Sequence, residues 1–132
     1  MALIEVELTR VMLVETSDRQ IVVLQEKGGK ERAFPIEIGI FEAVAIHRVL
    51  RQEESPRPMT HDLIIDIIEE LGGQVDRVVV RDLVEGTFLG SLFVDMGDGT
   101  KEIDCRPSDS LAIAVRTGCP IFVEEKVFGT AG

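Results

Sequence analysis

Two short stretches hold the residue types that chemistry could use. Asp104 to Arg116 reads DCRPSDSLAIAVR, and Arg57 to Leu63 reads RPMTHDL. Each has Arg-Pro, then a hydroxyl residue, then an aspartate. Proline cannot donate to a sheet ladder and disfavours helical geometry in the residue before it, so a strand reaching Arg106 should end there. Ser108 is then expected as the N-cap of a helix, with Asp109 adding negative charge at the positive end of the helix dipole. Arg106, Ser108 and Asp109 are thus predicted at one strand-to-helix corner, and Arg57, Thr60, His61 and Asp62 at a second. Guanidinium forks suit oxyanions, carboxylates suit hard cations, and an imidazole ordinarily titrates near neutrality. The same residues also make ordinary caps closed by ion pairs, and structural ion pairs outnumber catalytic ones.

The elements that must position these residues follow from period and punctuation. Leu3 to Val14 alternates apolar and polar residues as a half-buried strand does, and 15–19 is polar and reads as a turn. Ile21 to Gln25 is a β-branched strand, Lys27-Gly28-Gly29-Lys30 a hairpin signal, and Glu31 to Ile38 the returning strand. Pro35 places that third strand at an edge or near a bulge. Gly39 should open a helix whose buried stripe is Phe41, Val44, Ala45 and Val49, with Ile46 on its flank. Gln52 to Pro58 is a loop, and Thr60 begins a second helix burying Leu63, Ile64, Ile67, Ile68 and Leu71 up to Gly72-Gly73. Val75 to Leu83, Phe88 to Met96 and Lys101 to Cys105 form a meander turning at Glu85-Gly86 and Asp98-Gly99. The third helix buries Leu111, Ala112, Ala114 and Val115 and stops at Gly118 and Pro120; Ile121 to Glu124 is a last strand, and the tail frays beyond Phe128. The order βββ-αα-βββ-α-β predicts an α+β fold, a mixed, largely antiparallel sheet built from hairpins with three helices.

Composition narrows the partners. The 132 residues fit one domain, 1–132, and 45% hydrophobic content builds a real core. A balance of 14 basic against 24 acidic residues gives a net charge of −10, which opposes nonspecific attraction to phosphate backbones. Contact with nucleic acid would need a local cationic surface, for which Arg48, Arg51, Arg57, Arg77, Arg81, Arg106 and Arg116 are the candidates. Cys105 and Cys119 make no metal motif and are expected as buried free thiols. MALIEVELTR does not read as a signal peptide and no stretch approaches the roughly 20 apolar residues of a membrane span, so a soluble, cytoplasmic protein is expected. Ile21 to Gln25, read as an edge strand, favours a homo-oligomer.

Three stretches in order, FPIEIGIFEAVAI (Phe34 to Ile46), RPMTHDL (Arg57 to Leu63) and RPSDSLAIAVR (Arg106 to Arg116), resemble the bifunctional nuclease family over about Leu8 to Phe128. That resemblance implies degradation of RNA and DNA. On matching positions its candidate residues are Glu42, Arg57, His61, Asp62, Arg106 and Asp109. Two departures are Ser110-Leu111, where the family commonly has Ala-Ile, and Leu89, where an aromatic often follows the phenylalanine of the middle hairpin. Neither touches a candidate acid or base. The second leaves any stacking of bases to the six Phe, as there is no Tyr or Trp.

Phosphodiester hydrolysis needs a base, charge stabilisation on the phosphoryl oxygens and a proton for the leaving oxygen. His61 is the candidate acid or base. Asp62 and Asp109, with Glu42, are candidates to hold Mg²⁺ or Mn²⁺. Arg57 and Arg106 would bind phosphate, helped by the helix N-termini at Thr60 and Ser108. Two functions follow: a metal-assisted nuclease of broad specificity, or a non-catalytic oligomeric module that recognises a small anionic ligand or a protein partner. The first requires the two Arg-Pro corners to face each other around a common pocket.

Overall fold

A computed structural model describes residues 2–14, 16, 18–28 and 32–131. Residues 15 and 17 of the expected turn, the Gly29-Lys30 half of the hairpin signal and Glu31 of the returning strand lie outside the described residues. The chain runs β1 (Leu3–Met12), β2 (Arg19–Glu26), β3 (Ala33–Gly39), α1 (Ile40–Leu50), α2 (Thr60–Glu70), β4 (Gln74–Val84), β5 (Thr87–Asp95), β6 (Thr100–Cys105), α3 (Pro107–Thr117), β7 (Ile121–Glu124) and α4 (Glu125–Ala131). This is the expected α+β class, with a seven-stranded sheet ordered β3-β2-β1-β7-β4-β5-β6. Every neighbouring pair is antiparallel except β4 with β7.

The turns are made where their chemistry permits. Glu85 and Gly86 both take positive φ, 51° and 80°, which closes the two-residue β4–β5 hairpin between Val84 and Thr87. The β5–β6 connection is looser than the Asp98-Gly99 signal suggests: Asp95 pairs with Thr100, so four residues form the loop. Pro35 lies on β3, an outermost strand, where its missing N–H leaves no gap in the sheet interior. The strand read as an edge, Ile21 to Gln25, is instead β2, paired on both sides by β1 and β3. Its β-branched residues serve the interior of the sheet, so the edge-based argument for an oligomer falls.

One face of the sheet makes the core. Val22, Leu24, Ile36 and Ile38 from one half and Val78, Val80, Leu92 and Val94 from the other pack with α1 and α3. α3 is the most deeply set helix, with Leu111, Ala112, Ile113 and Ala114 all buried. α1 and α2 each pack against it. The two flanking helices bury only part of the stripe their spacing predicts: Ala45 and Ile46 of α1 and, in part, Ile64 and Ile68 of α2. α1 buries Ala43, Ala45 and Ile46, whereas Phe41 is 82% exposed and Val44 is also exposed. α2 half-buries Ile64, Ile65 and Ile68 and leaves Leu63, Ile67 and Leu71 exposed.

A fourth helix stands where a frayed tail was expected, so the described residues form four helices and not three. α4 buries Val127 and Phe128. Phe128 packs edge-on to Phe34 at 5.2 Å, and Arg32 lies over its ring at 4.4 Å while bridging Glu26 and Glu125. A seven-residue helix has little stability of its own, so this packing must hold it. Phe34 also stacks on Phe88 at 5.7 Å, although four strands separate β3 from β5 in the sheet. The sheet therefore curls until its β3 edge meets the β4–β5 hairpin. Removing the ring that α4 inserts there should cost the stability of a large core truncation. Phe128→Ala is expected to destabilise the fold by about 3–4 kcal/mol in urea unfolding. A loss under about 1 kcal/mol would show that the tail does not hold the curl.

Candidate functional site

The corner at Arg106-Pro107 begins with β6 ending at Cys105. Arg106 is extended (φ −72°, ψ 141°) and is itself the N-cap, with Pro107 in the first helical position. Ser108 is therefore one turn position inside the helix, not its cap, because the fixed φ of proline already suits the first helical residue. Asp109 reaches the third position, where its amide donates to the Arg106 carbonyl at 3.0 Å. Gly90 on β5 makes room for the bend: a Cβ there would stand 3.0 Å from the Cys105 carbonyl oxygen and 3.2 Å from the Pro107 nitrogen. The second corner differs, since Pro58 precedes the cap and does not enter the helix. Met59, not Thr60, caps α2, and its N–H donates to Asp62 Oδ2 at 2.9 Å.

Side chains join the corners. His61 Nε2 lies 3.1 Å from Asp109 Oδ1, and Arg106 Nε donates to Asp109 Oδ2 at 2.9 Å. Arg106 Nη1 stands 3.7 Å from Glu42 Oε1 on α1. Burial pushes the Asp109 carboxyl up, but the hydrogen bonds from Arg106 and His61 together outweigh it and hold it below the usual carboxylate range. An ionised Asp109 can only accept, so His61 Nε2 carries the proton of that bond. The result is one polar chain, Glu42–Arg106–Asp109–His61. Its imidazole end is buried, with 9% of the side chain exposed, and its guanidinium end is open at 68%.

Asp62 turns elsewhere. Arg116 Nε donates to Asp62 Oδ1 at 2.8 Å. Burial raises this carboxyl too, and the Met59 N–H and Arg116 reverse the shift, leaving it lowered. The two corners thus open onto different hollows. Arg106, Ser108 and Glu42 line a groove of about 680 Å³ between the β2–β3 edge and the β4–β5 turn, with Arg19, Ile38 and Phe88 also on its walls. Arg57, Asp62 and Arg116 line a second groove, of about 370 Å³, between α1, the loop after it and α2. His61 lines neither. Thr60 is exposed at the start of α2.

The three carboxylates proposed for a divalent cation do not form a ligand set. Asp109 is shared by Arg106 and His61, Asp62 is held by Arg116, and Glu42 faces Arg106. Among the described residues, no group of three or more His, Cys, Asp and Glu could hold a metal ion. The expected cationic surface is divided: Arg48, Arg57 and Arg116 line the second groove together with Asp62 and Asp66, Arg106 lies on the first, and others lie on neither. Arg81 binds Asp104 and Ser91, and Arg77 binds Asp76 and lies over Phe93. Arg19 of the first groove, which sequence reasoning passed over, is the residue that lies nearest such a role beside Arg106. Its place depends on the curl of the sheet, which no local spacing signals. Cys105 and Cys119 are half-buried free thiols, and burial pushes both up, away from a reactive thiolate.

The chain belongs to the family of the bifunctional nuclease domain, whose model matches residues 22–132. It is 42% identical over 128 residues to the Uncharacterized protein Rv1829 of Mycobacterium tuberculosis, covering 97% of this chain and 76% of that one. It is 28% identical to Bifunctional nuclease 2 of Oryza sativa subsp. japonica over 86% of this chain, and 27% identical to Bifunctional nuclease 2 of Arabidopsis thaliana over 79%. The match spans 36% and 32% of those two plant proteins. Among the described residues, no helix is long and apolar enough to cross a membrane.

The lowered Asp62 carboxyl fixes the sign of a pH effect. Its folded value lies below the unfolded one, so its stabilisation is complete above the unfolded value of about 4 and is lost as pH falls through the folded value. Asp62→Asn should cost about 1 kcal/mol at pH 7, since the ion pair is partly exposed. The gap to the wild type should stay constant above about pH 5 and shrink below about pH 4. Chemical denaturation across pH measures it. A gap that widens in acid would contradict the assignment.

Proposed function

We propose that this domain hydrolyses phosphodiester bonds of nucleic-acid strands, and that it does so at the Arg106 groove. One observation supports the reading above others: the polar chain that joins both corners ends in an open guanidinium on that groove, with a carboxylate beside it. Membership of the family and the names of the rice and Arabidopsis relatives agree with it. Arg106 has five N–H donors, and the Asp109 and Glu42 contacts leave others for an oxyanion. In this role it neutralises charge that grows on the phosphoryl oxygens. Glu42, with 16% of its side chain exposed, takes a proton from the attacking water, whose oxygen bonds to phosphorus as the P–O bond to the leaving oxygen breaks. That leaving oxygen is protonated by the Glu42 carboxyl or by water in the open groove. The Ser108 hydroxyl, on the groove wall, donates to a phosphoryl oxygen.

His61 and Asp109 take different parts from those their types suggest. A buried imidazole that lines neither groove cannot reach a substrate proton there, so His61 positions Arg106 through Asp109. Asp62, Arg57 and Thr60 fall outside the reacting centre. No step is assigned to a metal ion, because the carboxylates are committed to arginines.

The second reading, an anion-binding module without turnover, is favoured by the same observation, that the carboxylates are paired. Purified protein on single-stranded RNA and DNA, with and without EDTA, separates the two. Arg106→Ala and Glu42→Gln are each expected to lower kcat about 10²–10³-fold while the circular dichroism spectrum is kept. Cleavage at wild-type rate by both variants would mean contamination or a different site. Nucleotide binding that Arg106→Ala abolishes, without any cleavage by the wild type, would establish the second reading.

A further inference from the structure

The groove beside Arg106 is too poor in cations for a run of phosphates. Among the described residues its walls carry Arg19 and Arg106 against Asp18, Glu37 and Glu42. Arg19 already faces Glu37 at 3.6 Å, which leaves Arg106 as the cation for one phosphate. A volume of about 680 Å³ falls within the roughly 300–1,000 Å³ of sites that take a single small organic ligand. Whatever enters the groove with that phosphate must therefore be small and uncharged.

Two features of the walls suit a flat, heteroaromatic partner. Phe88 is half-buried and lines the groove. Phe34, itself buried, lies nearly parallel to it, with centroids 5.7 Å apart and planes at 16°, so one face of the Phe88 ring is covered and the ring is held in place. The side turned away from Phe34 is the part left to the groove. A base laid there would extend an existing stack, and every nucleobase has a π face to offer.

The facing wall is β3. All five residues from Pro35 to Gly39 border the groove, although successive side chains of a strand point to opposite faces. The groove thus runs along the outer edge of β3 and meets the N–H and C=O groups that an outermost strand leaves out of the ladder. Such groups can pair with the polar edge of a base. They suit an added peptide strand less well, because Pro35 has no N–H to give near the middle of that edge.

We infer that Phe88 and the outer edge of β3 form a subsite for one unstacked nucleobase of the strand whose phosphate Arg106 holds. The inference rests on Arg106 holding a phosphate, as in the hydrolytic reading. The base stacks on Phe88 while its polar edge meets β3. A duplex keeps its bases paired and stacked, so it cannot fill the subsite without opening. Selection of single strands is thereby assigned to a side chain that takes no part in bond breaking.

Equilibrium binding separates this subsite from hydrolysis. The probes are a labelled short oligothymidylate phosphorothioate, which resists cleavage, and a phosphorothioate of equal length and charge that carries no bases. Fluorescence anisotropy with the full chain should show the base-bearing strand bound about 5–150-fold more tightly, the range of one base–aromatic stack. Phe88→Leu should bind both strands with the affinity of the baseless one, and Arg106→Ala should weaken both alike. The chain has no Trp, so Phe88→Trp keeps a stacking ring and adds a single reporter. Its fluorescence should be quenched by the base-bearing strand and by neither the baseless strand nor a duplex. A wild type that binds the two strands equally, or a Phe88→Leu variant that keeps the preference for bases, would overturn the subsite and leave hydrolysis at Arg106 standing. Base-dependent binding without cleavage of the ordinary phosphodiester would support the subsite and remove the hydrolytic reading instead. Quenching by an extended peptide, with none by either strand, would assign the edge to strand addition and overturn the inference.

Discussion

The Asp109 carboxylate is the contact on which the arrangement of the site depends. It accepts from Arg106 on one oxygen and from His61 on the other. The first bond closes the α3 corner on itself, three residues apart, and the second ties α2 to it across 48 residues of sequence. With its guanidinium largely in solvent, the Arg106 pair is worth no more than about 1 kcal/mol. Its larger effect is geometric. A guanidinium held at Nε by a carboxylate loses most of its rotamer freedom, so its outer N–H groups point in a narrow range toward the groove. Gly90 belongs to the same constraint, since it lets the Cys105–Pro107 backbone lie against β5.

The curl of the sheet supplies the other half of the site. A flat seven-stranded sheet would leave β3 far from the β4–β5 turn. Here Phe34 is sandwiched by contacts to Phe88 and Phe128, and this aromatic cluster closes the gap beneath the groove. Right-handed twist accumulates along any sheet of this width. The irregular registers in β1 and β4 add to it, since bulges increase local twist. The groove thus has walls from opposite ends of the sheet, brought together by an aromatic cluster of three phenylalanines distant in sequence, of which Phe88 lines the groove.

Strands and turns were legible because their signals are local. Alternation in Leu3–Met12, the Glu85-Gly86 pair and the Pro35 edge position each depend on a few adjacent residues. The helix faces were not. IFEAVAIHRVL is apolar on nearly every side, so its period cannot choose between a face that meets α3 and one that meets solvent. Close approach to α3 selects the small Ala43 and Ala45 and turns Phe41 out. In α2 the two isoleucine pairs at 64–65 and 67–68 likewise leave the choice to tertiary contact. The site was legible as a list of residues but not as a network. Spacing set Arg106 near Asp109, yet nothing local showed that His61 would be buried against Asp109 while Asp62, the next residue, turned to Arg116. Neighbours in a helix point about 100° apart, and here that angle separates two grooves.

The net charge of −10 bears on how such a site could meet a polyanion. Long-range repulsion acts against approach, but at physiological ionic strength it is screened over about 8 Å. Most arginines described are already neutralised by carboxylates and contribute little beyond that distance. Affinity from a broad phosphate footprint is therefore small, and few counterions would be released on binding. On the proposed reading, recognition would rest on short-range contact at Arg106 and on apolar contact with walls such as Ile38 and Phe88. A flexible strand can bring one phosphate and an unstacked base into a groove of this size. In that reading a stiff duplex, whose bases stay stacked, would bring mainly its charged backbone to such a groove.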